Sequence, residues 1–306
     1  MNYIEEYYKK IKSGEIVASR KVRIVYKKLV EDIKNPRIVR TENEITGEIE
    51  EHKYIYNNEK ALHAIEFIEK FCRHSKGKKW AGQPFLLELW QKALVSAMFG
   101  FVDKETGFRK YRKVILFVAR KNGKSTLAAA IGLYMLMADD EPGAECYSIA
   151  TKKDQAKILW QEAKRMVKKN PLFLKRVKPL VAELYYESEE STFKPLSNES
   201  DTLDGLNASF VAADEVHAMK DKNLIDVTYD SMETRDQPIF FETSTMGTTR
   251  ENVFDGEYDY ASNVINTYED PSLGFVDETL LPIIYELDSK KEWTNEKCWE
   301  KANPGL

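Results

Sequence analysis

One stretch near the middle of the chain constrains the fold more than any other. Val114-Ile-Leu-Phe-Val118 is a short, apolar, β-branched run of the kind that forms a buried strand. It passes directly into Ala119-Arg-Lys-Asn-Gly-Lys-Ser125 and then into the helix-forming Thr126-Leu-Ala-Ala-Ala130. A strand, a tight loop and a helix start in succession aim several backbone N–H groups and the positive end of the helix dipole at one point. Such a cradle suits a polyphosphate. Within it Lys124 would contact the β- and γ-phosphates and the Ser125 hydroxyl would hold Mg²⁺. The usual loop carries a further Gly five residues ahead of this Gly-Lys-Ser, and Val118 stands there, so the loop is a variant. Viewed in isolation, the short motif is also compatible with a basic turn leading into a core helix.

The 306 residues suffice for one large α/β domain or two smaller ones. A formal charge of −4 conceals a segregation along the chain. Residues 101–125 hold eight Lys/Arg against two acids, residues 152–178 hold ten against two, and residues 251–290 hold ten acids and one Lys. This polarity permits a basic face for nucleic acid, or simply solvated helix faces. The three cysteines, Cys72, Cys146 and Cys298, are far apart, which argues against a disulfide framework or a zinc site and for a reducing compartment. The N-terminus lacks the apolar core of a signal peptide, and no apolar run reaches the roughly 18 residues of a membrane helix.

Residues 1–35 read as helical from the recurrence of Tyr7, Ile11, Val22, Val25, Tyr26, Leu29 and Ile33, with Pro36 as the stop. Residues 37–58 read as an irregular or hairpin-like connector, and 61–72 as a helix. His63 and His74 fit surface or packing roles, since no ligand stands at metal spacing. Gln91 opens the apolar helix that follows. Its amide could read an adenine edge, with Trp90 and Phe85 shaping the site, although a core helix with one exposed Gln has the same pattern.

Beyond the loop helix, residues 145–150 read as a strand, and Thr151 is a plausible N-cap for a basic amphipathic helix over 152–169 that ends at Pro171. The runs 183–186 and 191–194 suit a small hairpin. Ala208-Ser-Phe-Val-Ala-Ala-Asp214-Glu215 is then a buried strand ending in two adjacent acids, about 90 residues after the loop. Adjacent strand residues point to opposite sides, so Asp214 can face a Mg²⁺ water shell while Glu215 reaches an attacking water. A third strand over 238–243 closes into Ser244-Thr-Met-Gly247, placing Ser244, Thr245 and Gly247 where a γ-phosphate could be sensed. Arg235 and Arg250 flank it, and each also suits an ordinary surface position.

Together these residues resemble the large terminase subunit of tailed bacteriophages. The resemblance rests on Leu89-Trp-Gln91, Ala119-Arg-Lys-Asn-Gly-Lys-Ser125, Leu203-Asp-Gly-Leu-Asn207 before Val211-Ala-Ala-Asp-Glu215-Val-His217, and Arg235-Asp-Gln-Pro238 before Ser244-Thr-Met-Gly247. It covers roughly residues 60–306. It implies an α/β P-loop NTPase of the additional-strand, catalytic-glutamate class, built on a mainly parallel central sheet flanked by helices. The expected division is an N-terminal helical and connector extension (1–59), an ATPase core (60–250) and an acidic lid or linker subdomain (251–306) leading to a nuclease half, with no nuclease activity expected from this chain alone.

By the same resemblance, Gln91 looks like the adenine-binding Gln. Arg120, Lys121, Asn122, Gly123, Lys124, Ser125 and Thr126 form the phosphate loop, Ser125 and Asp214 hold Mg²⁺, and Glu215 is the general base. Ser244, Thr245 and Gly247 couple hydrolysis to movement. Many terminases carry an Arg-Gly pair ahead of the acidic strand as a trans-acting arginine finger, whereas this chain has Asp204-Gly205. Arg235 is therefore the leading finger candidate and Arg250 the second. The implied activity is Mg²⁺-dependent ATP hydrolysis driving double-stranded DNA into a procapsid in the host cytoplasm. The implied partners are the portal protein, the small terminase subunit and further copies in a ring on the portal, with no membrane. A P-loop helicase or translocase, or a nucleotide-binding scaffold without turnover, are the alternatives. The basic region 152–178 is the candidate DNA track.

Overall fold

The computed structural model describes residues 2–42, 47, 49–197, 203, 205–219, 222–246 and 252–306. The expected N-terminal helical stretch is two helices, α1 (Tyr3–Ser13) and α2 (Arg20–Lys34). Gly14, at φ 79°, supplies the left-handed C-cap of α1, and the Ser19 hydroxyl accepts from Val22 N–H to start α2. β1 (Ile38–Glu42) and β2 (Ile49–Tyr56) form an antiparallel hairpin, as the connector pattern suggested. After α3 (Asn58–Phe71) and α4 (Leu89–Gly100), the short β3 (Phe101–Asp103) completes this small sheet against β2.

The main sheet begins with β4 (Lys113–Phe117), which feeds α5 (Lys124–Met137) and then β5 (Glu145–Ile149). α6 (Lys153–Lys169) and the single turn α7 (Pro171–Leu174) follow. β6 (Val177–Pro179), β7 (Leu184–Tyr186) and β8 (Ser191–Leu196) come next, with β7 and β8 pairing as the expected hairpin. β9 (Ala208–Asp214), α8 (Asn223–Asp230), β10 (Ile239–Ser244), α9 (Val253–Glu269) and β11 (Leu280–Ile284) end the order. The eight strands lie in the order β11-β4-β10-β9-β5-β8-β7-β6. From β11 to β8 every pairing is parallel, while β7 and β6 extend the sheet antiparallel. β10 thus lies between β4 and β9, and brings Ser244 level with Phe117 and Thr243 level with Asp214.

Strand residues alternate between two apolar layers, as a parallel sheet covered on both faces requires. Phe241 and Ile239 join the larger layer, and Phe240 the smaller one with Val211 and Ile149. α5 is buried along most of its length, and Gly132 lets it approach the sheet closely. A Cβ there would stand 2.7 Å from Phe193 Cε1 and 3.2 Å from Phe210 Cε1.

Two expectations need correction. The larger apolar layer runs without a break from Ile4 and Tyr7 of α1 through Leu116 of β4 to Phe254 of α9 and Ile284 of β11. Helices α1 and α2, and α9 with β11, therefore pack into the body that contains the ATPase motifs. The acids after residue 250 do not set this part of the chain apart: Glu257 of α9 is buried and pairs with Lys113 of β4 and with Lys222. Thr151, in turn, does not cap α6. Lys152 holds the N-cap position, and the Thr151 hydroxyl donates to Ala218 O at 3.2 Å.

Candidate active site

The loop after β4 turns sharply into α5. Lys121 (φ 70°) and Gly123 (φ 74°) both adopt left-handed backbone, and Gly123 takes the N-cap position with no side chain to cap the first turn. The amides opening α5 are therefore presented bare, as an anion cradle at a helix N-terminus requires. Asn122 braces the loop from inside, its Nδ2 donating to Ala119 O at 3.0 Å. Arg120 and Lys121 are exposed, and Thr126 is half-buried in the first turn of α5.

The parallel register sets the ends of β9 and β10 beside this loop. Val118 N–H donates to Ser244 O at 3.1 Å, fixing the loop against β10. Lys124, 8% exposed, has its ammonium in contact with Glu215 Oε1 and 3.4 Å from Asp214 Oδ1. Ser125 Oγ donates to Asp214 Oδ2 at 2.6 Å. The sequence's central expectation, that the loop and the paired acids share one site, is met by these contacts. Asp214 Oδ1 also receives Thr243 Oγ1 at 2.7 Å and Glu215 N–H at 3.0 Å, so its carboxylate is held from three elements. Glu215 has left-handed backbone (φ 58°), an uncommon conformation for a residue with a Cβ and one that clusters at functional sites. It turns the carboxylate out of the strand toward Lys124.

Ser244 is fully buried and its hydroxyl donates to Thr245 O at 3.0 Å. Thr245 is also buried, with Oγ1 lacking a partner among the described residues. A buried hydroxyl without a partner is costly. One beside a phosphate cradle is well placed to meet an anion. Gly247, Arg250 and Asp204 lie outside the described residues.

Gln91 is brought to the same place. It is 4% exposed, and its Nε2 lies where a Cβ on Gly123 would come within 3.6 Å. Its Oε1 accepts from Glu88 N–H at 2.9 Å in the capping box of α4, so one half of the amide is committed to its own helix. Trp90 and Phe85 are core residues. Trp90 packs edge-on to Tyr285 and donates to Glu88 Oε2 at 2.7 Å, and Phe85 packs on His74, so neither offers an open face for a base to stack on.

Arg235 is not at this site. It precedes β10 at the opposite end of the parallel strands from the loop. Its guanidinium spans Glu141 Oε1 (2.7 Å), Gly143 O (2.9 Å) and Asn207 Oδ1 (2.8 Å), three groups that precede β5 and β9. As folded, Nε, Nη1 and Nη2 each bond within the chain, tying the strand starts together, so this arrangement does not present Arg235 as a free finger. His63 meets Tyr134 Oη at 3.2 Å and His74 packs on Phe85, both packing roles.

Three contributors carried no sequence signal of their own. Thr243 and His217 lie inside quoted runs but acquire roles only through cross-strand register. Residues 302–305 fold back over the loop, with Ala302 O accepting from Ala119 N–H at 3.2 Å and Asn122 Oδ1 accepting from Gly305 N–H at 3.2 Å.

The residues fit a Mg²⁺–triphosphate. The described residues contain no cluster of three or more His, Cys, Asp or Glu able to cage a metal, and a Mg²⁺ shared with phosphate oxygens needs only one or two protein oxygens. Ser125 Oγ and Asp214 Oδ2 stand 2.6 Å apart beside an ammonium and a helix start, and could supply those oxygens. No described helix is long and apolar enough to cross a membrane.

Comparison with known proteins agrees with this geometry. The family model for the terminase large subunit, ATPase domain, matches residues 89–263. The terminase large subunit of Enterobacteria phage HK97 is 26% identical over 247 residues, covering 79% of this chain and 45% of that protein. The large subunit of Lactococcus phage p2 is 23% identical over 262 residues, covering 83% and 46%. The crystal structure of the HK97 bacteriophage large terminase superposes with a TM-score of 0.65 at 25% identity, covering 80% of this chain and 48% of that one. The chain thus spans about half the length of these relatives. With the family model covering more than half of its residues and the loop and paired acids joined at one site, the chain belongs to the terminase large subunit ATPase domain family.

Proposed function

We propose that this chain is the ATP-hydrolysing part of a motor that drives double-stranded viral DNA into a procapsid, working as a ring of copies on the portal with the small terminase subunit in the host cytoplasm. The observation that carries the reading is the contact of Lys124 and Ser125 with Glu215 and Asp214 across β10. The position of β10 between β4 and β9 supports the additional-strand, catalytic-glutamate class. Residues 251–306 would take part in coupling through the segment that rests on the loop, rather than as a separate lid.

Ser125 Oγ and Asp214 Oδ2 are the oxygens that would hold Mg²⁺, which when bound neutralises charge on the β- and γ-phosphates. In the present arrangement the Lys124 ammonium is occupied by the two carboxylates. To serve phosphate it must turn from Glu215, and that same movement frees Glu215 to accept a proton from water at a carboxylate oxygen. The bare amides of the α5 start and the Thr245 hydroxyl supply further donors. Gln91 Nε2 is the donor offered toward an adenine, and a two-point contact requires Oε1 to accept a second bond. Arg120, exposed on the loop, remains available to phosphate. The exposed basic residues of 152–178, Lys168, Lys169, Lys175 and Arg176 among them, are the proposed DNA track. Lys164 is excluded from it, because it is tied to Leu180 O and lies over Trp160.

The test is Glu215→Gln. Removal of a general base typically costs about 10² to 10⁴ in turnover, so hydrolysis is expected to fall by that order while ATP binding persists. Wild-type turnover by the variant removes Glu215 from the role.

A further inference from the structure

The 3₁₀ turn after Glu215 returns one side chain toward the site. His217 N–H donates to Ser244 Oγ at 3.1 Å, and the ring Nδ1 lies 3.0 Å from that same oxygen. Nδ1 is also 3.0 Å from Glu215 Oε2, yet its hydrogen bond is aligned with Ser244, and Oε2 is buried without a hydrogen bond among the described residues. One ring nitrogen therefore stands between two acceptors. Ser244 has a single proton, and that proton is directed to Thr245 O. With that bond made the hydroxyl accepts from His217, and the tautomer that satisfies both contacts carries its proton on Nδ1. An Nδ1–H between a hydroxyl and a carboxylate can pass from one to the other by a small ring rotation.

Resting on the assignment of Glu215 as base, we propose that His217 is a positioning residue: its Nδ1–H links the Ser244-Thr245 strand end to Glu215 Oε2 and holds that carboxylate toward water once Lys124 has left it. Three features of the site agree. Glu215 has left-handed backbone and, among the described residues, is held on its other oxygen by Lys124 alone, the contact that must break when phosphate is bound. Oε2 is the orphaned atom. Ser244 and Thr245 occupy the strand end nearest the loop, joined to it through Val118. A carboxylate released by Lys124 without a second tether would rotate freely, and the cost of a misplaced base falls on turnover rather than on binding.

The chain contains four histidines, so ring ¹⁵N spectra of the nucleotide-free protein can resolve His217. The expected spectrum of the neutral ring shows its proton on Nδ1. Ser244→Ala should move the Nδ1–H resonance downfield as the carboxylate takes over the bond, since charge-assisted bonds are the stronger. In steady-state kinetics, His217→Ala should lower kcat by at least about tenfold with KM for ATP and the melting temperature little changed. His217→Asn, whose amide can place a donor near Nδ1, should recover most of the loss. An Nε2–H tautomer, an unchanged kcat in His217→Ala, or equal loss of kcat and melting temperature in both variants overturns the proposal. If Glu215→Gln hydrolyses normally, the base assignment fails and this proposal with it. If Glu215→Gln is inactive while His217→Ala turns over normally, only the positioning role fails.

Discussion

Substitution of Arg235 by Ala separates two roles that the sequence alone leaves indistinguishable. In the structure the Arg235 side chain is 13% exposed. Its Nη1 meets Glu141, itself 19% exposed, while Nη2 and Nε bond Gly143 O, Asn207 O and Asn207 Oδ1. Truncation would leave two backbone carbonyls and a largely buried carboxylate without their donor. Hydrogen bonds to charged groups are worth about 1.5–3 kcal/mol each but are not additive, and breaking a buried pair costs about 3–5 kcal/mol before allowance for residual exposure. A net loss of about 2–4 kcal/mol follows. With an unfolding entropy of about 2.1 cal/mol/K per residue over 306 residues, that loss lowers the melting temperature by about 3–6 °C. Scanning calorimetry or a dye-monitored melt reads the shift. Arg235→Lys, which keeps the charge beside Glu141 but loses the fork to the carbonyls, should fall between wild type and Ala. An unshifted melt combined with loss of ATPase stimulation in rings mixed with wild-type subunits would refute the staple and restore the finger.

The remaining predictions concern the core. Burial pushes Glu242 up to about 7 and Asp139 up to about 6, each against the pull of its partner, Lys113 at 3.0 Å and Arg109 respectively. The folded chain thus keeps protons that the unfolded chain has released, so these groups make stability fall as pH rises between about 4 and about 7. Chemical denaturation across that range should show a shallower fall in Glu242→Gln than in wild type, and identical slopes would contradict the assignment. Gly132→Ala gains about 1 kcal/mol of helix propensity but meets Phe193 and Phe210 in a packed layer, an overpacking cost of about 1–3 kcal/mol, so a net loss is expected. Gly256→Ala, on α9 with nothing within 4 Å of its added Cβ, should instead stabilise by about 0.5–1 kcal/mol; a denaturation midpoint that rises for both variants would show that α5 can move off the sheet.

The sequence by itself determined the elements whose logic is local. The loop between β4 and α5 is legible because a buried strand, a left-handed glycine and a helix start must occur in that order for amides to converge. The paired acids are legible because Asp214 and Glu215 end a strand whose apolar run has no other reading. The helices of the first 35 residues and the 184–193 hairpin follow from periodicity for the same reason.

Only the tertiary structure decided what depends on register between distant segments. Thr243 reaches Asp214, and His217 reaches Ser244, because β10 slots between β4 and β9 with one alignment of its residues. Arg235 carries the same charge wherever it stands, and it is the alignment of the β5, β9 and β10 starts that sets its guanidinium against Glu141, Gly143 and Asn207. The acidic composition after residue 250 suggested a separate lid, but composition does not record which apolar residues of α9 and β11 pack against the sheet, and that is set by tertiary contacts. Local pattern fixes which segments can form. The non-local hydrogen bonds and apolar contacts that select one pairing among many fix what their side chains meet.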